Sequence, residues 1–219
     1  MNAGIILAGG KGERITGYNT PKQFLKVCGK MIISYCLDVF AQCKDIDIVC
    51  VVADKAFRAQ IGEFIYAEPG ASRQTSIYNG LKVLKKFAPK NVVIHDSARP
   101  LVTTRDISEL LQSAEGFDGA TPCLPVNETI YRSLNGLTIE ATLNRDELVI
   151  GQTPECYNFE MYFTANEKFA GVLNSFRGSS EVAVKSGMKI SLAKGNPDNF
   201  KITTNADLKR FREFAEKRQ

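Results

Sequence analysis

Residues 1–26 read MNAGIILAGGKGERITGYNTPKQFLK. The apolar run Ile5-Ile6-Leu7-Ala8 leads into Gly9-Gly10-Lys11-Gly12, then Arg14, then Pro21-Lys22-Gln23. An apolar run bounded by glycines suits a buried, parallel strand. Glycines after it let the backbone approach a ligand closely and expose N–H donors. Lys11, Arg14 and Lys22 add three cations within twelve residues. Backbone donors and cations at the carboxyl end of a first strand make a polyphosphate cradle. The loop is neither G-x-G-x-x-G nor G-x-x-x-x-G-K-[ST], and no acid for a ribose is evident after the second strand, so a dinucleotide or Walker-type reading is disfavoured. Taken singly, Lys11 and Arg14 are ordinary loop charges; with Lys22 beside them the phosphate reading leads.

Outward from this stretch the chain alternates. Helical spacing covers 31–41, and 46–53 reads as a second buried strand. A helix is expected over 54–64 with Asp54 as its N-cap, then a strand at 65–67 and a turn at 68–71. A helix over 72–87 places Ile77, Leu81, Leu84 and Phe87 on one face. The strand 91–95 ends in Asp96-Ser97-Ala98-Arg99-Pro100, a helix follows at 104–114, and a strand at 119–123. Strand–helix alternation predicts an α/β, Rossmann-like, mostly parallel twisted sheet with helices on both faces.

From 125 to about 146 the pattern changes. Two alternating segments, 129–132 and 137–140, flank Ser133-Leu134-Asn135-Gly136, and Asn-Gly is a strong hairpin signal. A projecting hairpin of this kind is marginal alone, so it is expected to act as a dimerisation arm. Beyond it, a core-like strand at 148–153 ends in Pro154. Helices are expected at 159–169 and 181–186, strands at 189–193 and 199–202, and a terminal helix at 205–217. With no repeat, linker or low-complexity tract, residues 1–219 read as a single domain with an arm.

Composition is ordinary for a soluble globular protein. Of 219 residues, 44% are apolar and 24% charged. The net charge of +4 is too small to argue nucleic-acid binding, and no apolar run is long enough for a membrane span. The N-terminus shows no export signal, so a cytoplasmic location is expected. The six cysteines (28, 36, 43, 50, 123 and 156) form no C-x-x-C, which disfavours metal knuckles and redox pairs.

Six motifs then occur in order: L-A-G-G-K-G-E-R at 7–14, P-K-Q-F at 21–24, H-D-S-A-R-P at 95–100, P-V-N-E-T-I at 125–130, Q-T-P at 152–154 and D-N-F-K-I-T at 198–203. This set resembles the cytidylyltransferases that convert CTP and a polyol phosphate to a CDP-polyol. The resemblance covers nearly the whole chain. It implies that Ala8, Gly9, Gly10, Lys11 and Gly12 wrap the CTP triphosphate. Arg14 and Lys22, with Lys201, would stabilise charge at the α-phosphorus, since such transfer is mostly positioning and electrostatics. Gly70, Arg73, Ser76 and Ser97 match positions around the cytosine and ribose. Asp96 and Asp198 match carboxylates for Mg²⁺. Arg99, Thr129 and Arg145 match positions for the acceptor, some of them supplied by a second subunit's arm, which implies a homodimer. The substrate phosphate is itself a nucleophile, so no general base is required.

Other readings stand beside these. His95, at the end of an apolar strand, is expected to be a packed, hydrogen-bonded residue rather than a base. Asp96 or Asp198 would serve equally as a turn cap, and Arg145 would pair with Asp146 or Glu147 on the surface.

Three departures from the family pattern bear on the acceptor. Phe176-Arg177-Gly178-Ser179-Ser180-Glu181 stands where an acidic run is usual. Tyr131 stands where the methylerythritol enzymes often have lysine, and Ala71 and Thr75 where acids are common on the nucleotide side. The first two favour a ribitol 5-phosphate-like acceptor, with Arg177 as a replacement cation and a cell-surface polymer as the destination. The alternatives are 2-C-methyl-D-erythritol 4-phosphate, for isoprenoid synthesis, and a nucleotide-binding protein without catalysis. The intact set Arg14, Lys22, Asp96 and Lys201 argues for the enzyme.

Overall fold

The computed structural model describes residues 1–10, 12 and 15–217. Two of the expected phosphate cations, Lys11 and Arg14, lie outside the described residues.

The opening apolar run forms β1 (Asn2–Leu7). A small hairpin missing from the sequence reading follows, β2 (Lys26–Val27) and β3 (Lys30–Met31). Its two-residue turn, Cys28-Gly29, has φ of 49° and 76°, the conformation that tight hairpins need. Next come α1 (Ile32–Gln42), β4 (Ile48–Val52), α2 (Lys55–Ile61) and β5 (Ile65–Ala67). Asp54 caps α2 by accepting from the Ala56 N–H at 2.9 Å. Helix α3 (Arg73–Leu84) starts one residue after its expected first residue, because Ser72 and Thr75 form a capping box. Then follow β6 (Asn91–Asp96), α4 (Thr104–Ser113), β7 (Gly119–Pro125), β8 (Ile130–Arg132) and β9 (Ala141–Leu143). The remainder is β10 (Val149–Gly151), β11 (Glu155–Asn158), α5 (Phe159–Lys168), α6 (Ser179–Lys185), β12 (Ile190–Lys194) and α7 (Asn205–Glu216).

Among the described residues, eight strands form one sheet. Strands β5, β4, β1 and β6 lie side by side and parallel. Then β11 enters antiparallel to both β6 and β7, and β12 closes the edge parallel to β7. Cys123 faces both Gly151 and Lys194, while Ala120 faces both Cys156 and Ser191. Strands β10 and β11 therefore share one edge of β7 as a single line interrupted at Pro154.

Side chains alternate along β1. Ala3 and Ile5 pack with α3, α5 and α6 on one face; Ile6 and Ala8 pack with α1 and α4 on the other. This is the α/β architecture with helices on both faces that the alternation predicts. A smaller cluster joins Ile15, Val27, Leu101 and Ile202 to Leu208 and Phe211 of α7.

Three expectations need correction. The strand expected at 148–153 is instead β10, all three of its residues exposed, while the buried strand is β11, beyond Pro154. Proline reads as a strand terminator, since it cannot donate to the ladder, but pairing resumes one residue later. Residues 199–202 form no strand; Ile202 N–H bonds instead to Ala98 O at 2.8 Å. The hairpin pairs Ile130 with Leu143 and Arg132 with Ala141, so its second strand is 141–143 rather than 137–140. The Asn135 side chain turns the chain early, accepting from the N–H groups of Leu137 and Thr138 at 2.9 and 3.0 Å.

Candidate active site

The sheet reverses its strand order at β1, which leads to β4 on one side and lies beside β6 on the other. Ligands in open α/β sheets bind outside the carboxyl ends of the strands at such a point. A cavity of about 810 Å³ opens there, lined by Leu7, Gly9, Gly10 and Gly12, by Lys22 and Gln23, by residues 70–73 and Ser76, by residues 96–98 and by Lys201.

The loop after β1 is braced from beneath. Gln23 is buried, and its Nε2 donates to Ala8 O and Gly10 O, both at 2.7 Å. These carbonyls would repel a phosphate, and the amide occupies them. Gly9 and Gly70 are required by close approach. A Cβ on Gly9 would lie 2.5 Å from Pro69 Cβ, and one on Gly70 would lie 2.3 Å from Thr75 Oγ1. The Gly70 N–H donates to Ser76 Oγ at 2.9 Å, and that hydroxyl donates to Ser72 O, which joins the second glycine turn to the start of α3. Ser97 donates from Oγ to Leu7 O at 2.7 Å and ties β6 to β1 at the cavity floor.

The charged groups meet at Asp96, the last residue of β6. Its Oδ1 accepts from Arg73 Nε at 2.9 Å and its Oδ2 from Lys201 Nζ at 2.7 Å. Burial pushes the Asp96 carboxyl upward, but the charges and hydrogen bonds of Arg73 and Lys201 outweigh it and hold the group well below the ordinary carboxylate range. Burial alone would lower Arg73, yet Asp96 and Glu155 raise it further and keep it charged. Lys22 Nζ donates to Ile202 O at 2.6 Å, so the carboxyl-terminal loop holds that lysine at the cavity rim.

His95 lies behind this wall, fully buried. Its Nε2 faces Arg99 O at 3.0 Å, and its Nδ1 faces Thr153 Oγ1 at 3.2 Å. A carbonyl only accepts, so Nε2 carries the proton and Nδ1 accepts from Thr153, whose Oγ1 in turn accepts from the Asp96 N–H at 3.1 Å. Burial lowers this histidine to about 4 and keeps it neutral, and it does not line the cavity. The packed reading holds, and His95 is a strut beneath Asp96.

The expected site residues divide into two groups. Gly9, Gly10, Gly12, Lys22, Gly70, Arg73, Ser76, Asp96, Ser97 and Lys201 share the one cavity. Ala8 lies buried just beneath it. The acceptor set is dispersed. Arg99 is half-buried, with Nη1 donating to Asn199 O at 2.8 Å and Nε buried without a hydrogen-bond partner among the described residues. Thr129 and Arg145 are exposed on the arm, where Arg145 donates to Asn127 O at 2.8 Å rather than pairing with Asp146 or Glu147. Arg177 is exposed, and its N–H donates to Glu181. Asp198 is exposed in a loop and does not line the cavity. Gln23 and Glu155 bond to groups at the site that the sequence reading left without partners. Gln23 was in view within P-K-Q-F; Glu155 was hidden by the strand break set at Pro154.

A family model described as 2-C-methyl-D-erythritol 4-phosphate cytidylyltransferase matches residues 3–216. The chain is 36% identical to the 2-C-methyl-D-erythritol 4-phosphate cytidylyltransferase of Neorickettsia sennetsu, the match covering 94% of each chain. It is 34% identical to the bifunctional enzyme IspD/IspF of Paramagnetospirillum magneticum, matching over 95% of this chain but 55% of that protein. In fold it is similar to the 4-diphosphocytidyl-2C-methyl-D-erythritol synthase of Anaerococcus prevotii, with a TM-score of 0.85 at 21% identity over 98% and 96% of the two chains. The ribitol phosphate-like acceptor favoured from the sequence finds no support in these matches, which favour the methylerythritol alternative. Neither Arg177 nor Tyr131, on which the ribitol reading rested, lines the cavity. Matched from residue 3 to residue 216, the chain belongs to the 2-C-methyl-D-erythritol 4-phosphate cytidylyltransferase family and is a CTP-dependent cytidylyltransferase.

Proposed function

We propose that this enzyme transfers the cytidylyl group of CTP to the phosphate of 2-C-methyl-D-erythritol 4-phosphate, giving the CDP-polyol and pyrophosphate for isoprenoid synthesis. The observation that carries the reading is the convergence of Lys22, Arg73 and Lys201 on the cavity that the glycine loop also lines, with Arg73 and Lys201 paired to a single carboxylate, Asp96. A bond forms between an oxygen of the acceptor phosphate and the α-phosphorus of CTP. The bond from that phosphorus to the bridging oxygen of the β-phosphate breaks, and the electron pair leaves with pyrophosphate. The acceptor phosphate is anionic near neutral pH and needs no base, consistent with a neutral, buried His95. Lys22 and Lys201, with Arg14, act where negative charge accumulates on the five-coordinate phosphorus, and preorganised cations are most effective there. The loop 9–12, with Lys11, takes the β- and γ-phosphates.

Mg²⁺ fits this site in one form. Among the described residues, no group of three or more His, Cys, Asp or Glu side chains is placed to cage a metal, and Asp96 is the one carboxylate lining the cavity. Magnesium commonly binds through one carboxylate plus substrate phosphates, so Asp96 would hold an ion that arrives with the nucleotide and neutralises phosphate charge.

The acceptor side draws on Arg99, whose buried Nε has no hydrogen-bond partner among the described residues, and on Thr129 and Arg145 of the arm. The arm exposes Leu134, Leu137 and Ile139, with Val149 and Ile150 exposed at its base. A second copy of the chain would cover these apolar groups and bring its Thr129 and Arg145 to the first copy's cleft. The test is pyrophosphate release from CTP with 2-C-methyl-D-erythritol 4-phosphate or ribitol 5-phosphate. Release with the former and little with the latter is expected; preferential release with ribitol 5-phosphate refutes the acceptor.

A further inference from the structure

Glu155 is a buried carboxylate to which the transfer chemistry gives no task. It is the first residue of β11, the strand beside β6, which ends in Asp96. Three donors converge on it. Arg73 Nη2 lies 3.4 Å from Oε2, the Ser179 hydroxyl donates to the same oxygen, and the Tyr157 hydroxyl donates to Oε1 at 3.1 Å. The Ser179 hydroxyl also accepts from Arg73 Nη1 at 2.7 Å. All three nitrogens of the Arg73 guanidinium are therefore engaged: Nε by Asp96, Nη1 by Ser179 and Nη2 by Glu155.

A guanidinium is a rigid planar fork. One bond at Nε would leave the plane free to swing, whereas bonds at all three nitrogens fix it. The frame behind Glu155 is itself closed. Tyr162 donates to Ser179 O at 3.1 Å, and Gln74, the residue after Arg73, donates to the Tyr162 hydroxyl at 3.0 Å. A buried carboxylate is costly to keep unless it is fully bonded, and this one spends its acceptors on orienting a residue that lines the cleft.

We propose that Glu155, acting through Ser179, is the positioning residue that sets the plane of Arg73 toward the nucleotide. The proposal rests on the cytidylyl-transfer reading, with Arg73 on the CTP side of the cavity. It also gives the unusual 176–181 segment a link to the site, through Ser179 at the start of α6 rather than through Arg177.

A double-mutant cycle tests it, with Glu155→Gln, Arg73→Ala and the pair. CTP affinity is measured by calorimetry, kinetics by pyrophosphate release, and folding by thermal unfolding. Glu155→Gln is expected to raise the CTP dissociation constant and the KM for CTP about tenfold, leaving the KM for the acceptor within about twofold. In the Arg73→Ala background the same change should shift CTP affinity by less than about twofold, because its route of action is gone. An equal loss in both backgrounds, or unchanged CTP affinity in folded Glu155→Gln, refutes the proposal. Should Glu155→Gln fail to fold, Ser179→Ala replaces it in the cycle, with about threefold expected beside wild-type Arg73 and none beside Arg73→Ala. Wild-type protein that neither binds CTP nor releases pyrophosphate refutes the transfer reading and this inference together. An additive cycle in an active enzyme refutes this inference alone.

Discussion

The cleft and the arm are built on opposite principles. In the cleft the described polar groups are tied to one another: Asp96 holds Arg73 and Lys201, Glu155 holds Arg73, and Gln23 braces the loop carbonyls. The arm pairs two three-residue strands, and Leu134 and Leu137 at its tip are 81% and 88% exposed. Networks of paired buried groups are rigid because each member loses several bonds on moving. An isolated two-stranded hairpin is marginal in water. On the proposed reading, a single chain preorganises the half of the site assigned to CTP, while the half assigned to the acceptor would be completed by a second copy of the chain.

The largest effect should come from the cleft. Lys22→Ala is expected to lower kcat by about 10²–10³-fold, the scale for losing one preorganised transition-state partner, with a much smaller change in CTP affinity. Equal losses in kcat and affinity would reduce Lys22 to a binding group.

Deleting 127–140 attacks the other side of the contrast. We expect a monomer by sedimentation, CTP binding within about threefold of wild type, and activity reduced by about 10²-fold or more. Mixing the deleted chain with Lys22→Ala chains should restore part of the activity if the arm completes a partner's site. An active monomer breaks the comparison outright.

A pH experiment reads the cleft alone, because the chain has one histidine, and it lies under Asp96. The folded His95 titrates at about 4 against an ordinary value of 6.5. Between those values the unfolded chain binds more protons, so stability falls as pH falls, by up to about 1.4 kcal/mol per pH unit, and the contribution is complete above 6.5. His95→Gln should flatten that segment of the stability curve, and the single histidine resonance should remain neutral at pH 6. The contribution of Asp96 is present above its ordinary value of 3.8 and is lost only as pH falls below it, which separates the two windows. A His95 resonance that titrates near 6.5 would sink the strut assignment.

The smallest effects sharpen the same contrast at single residues. Gly70→Ala drives a methyl group into Thr75 and should cost about 1–3 kcal/mol of unfolding free energy. Leu137→Ser, at an exposed tip, should leave the monomer's stability within about 0.5 kcal/mol while weakening self-association.

Most of the sheet was legible because period-two and period-3.6 patterns are written in side chains. β1, β4, β5 and β6 lie where the apolar runs place them. β11 was not legible, since its four residues carry a buried Glu155 and follow a proline. What buries them is β6 on one side and β7 on the other, a fact of pairing rather than of pattern. The Asn-Gly signal marked the hairpin but missed its register, because Asn135 spends its side chain on a local turn and lets the strands close later at Arg132 and Ala141.

In the site, the sequence by itself determined the residue types: a glycine loop, cations in three separated motifs, and a carboxylate after an apolar strand. These follow from chemistry, because a triphosphate must be met by N–H groups and positive charge wherever the chain folds. Only the tertiary structure decided the partnerships. Asp96 bonds to Arg73 and Lys201, from positions 23 and 105 residues away. Glu155 was recruited from a strand the sequence did not announce. Distances between groups far apart in the chain are set by strand order and helix packing, and no local pattern of residues encodes them.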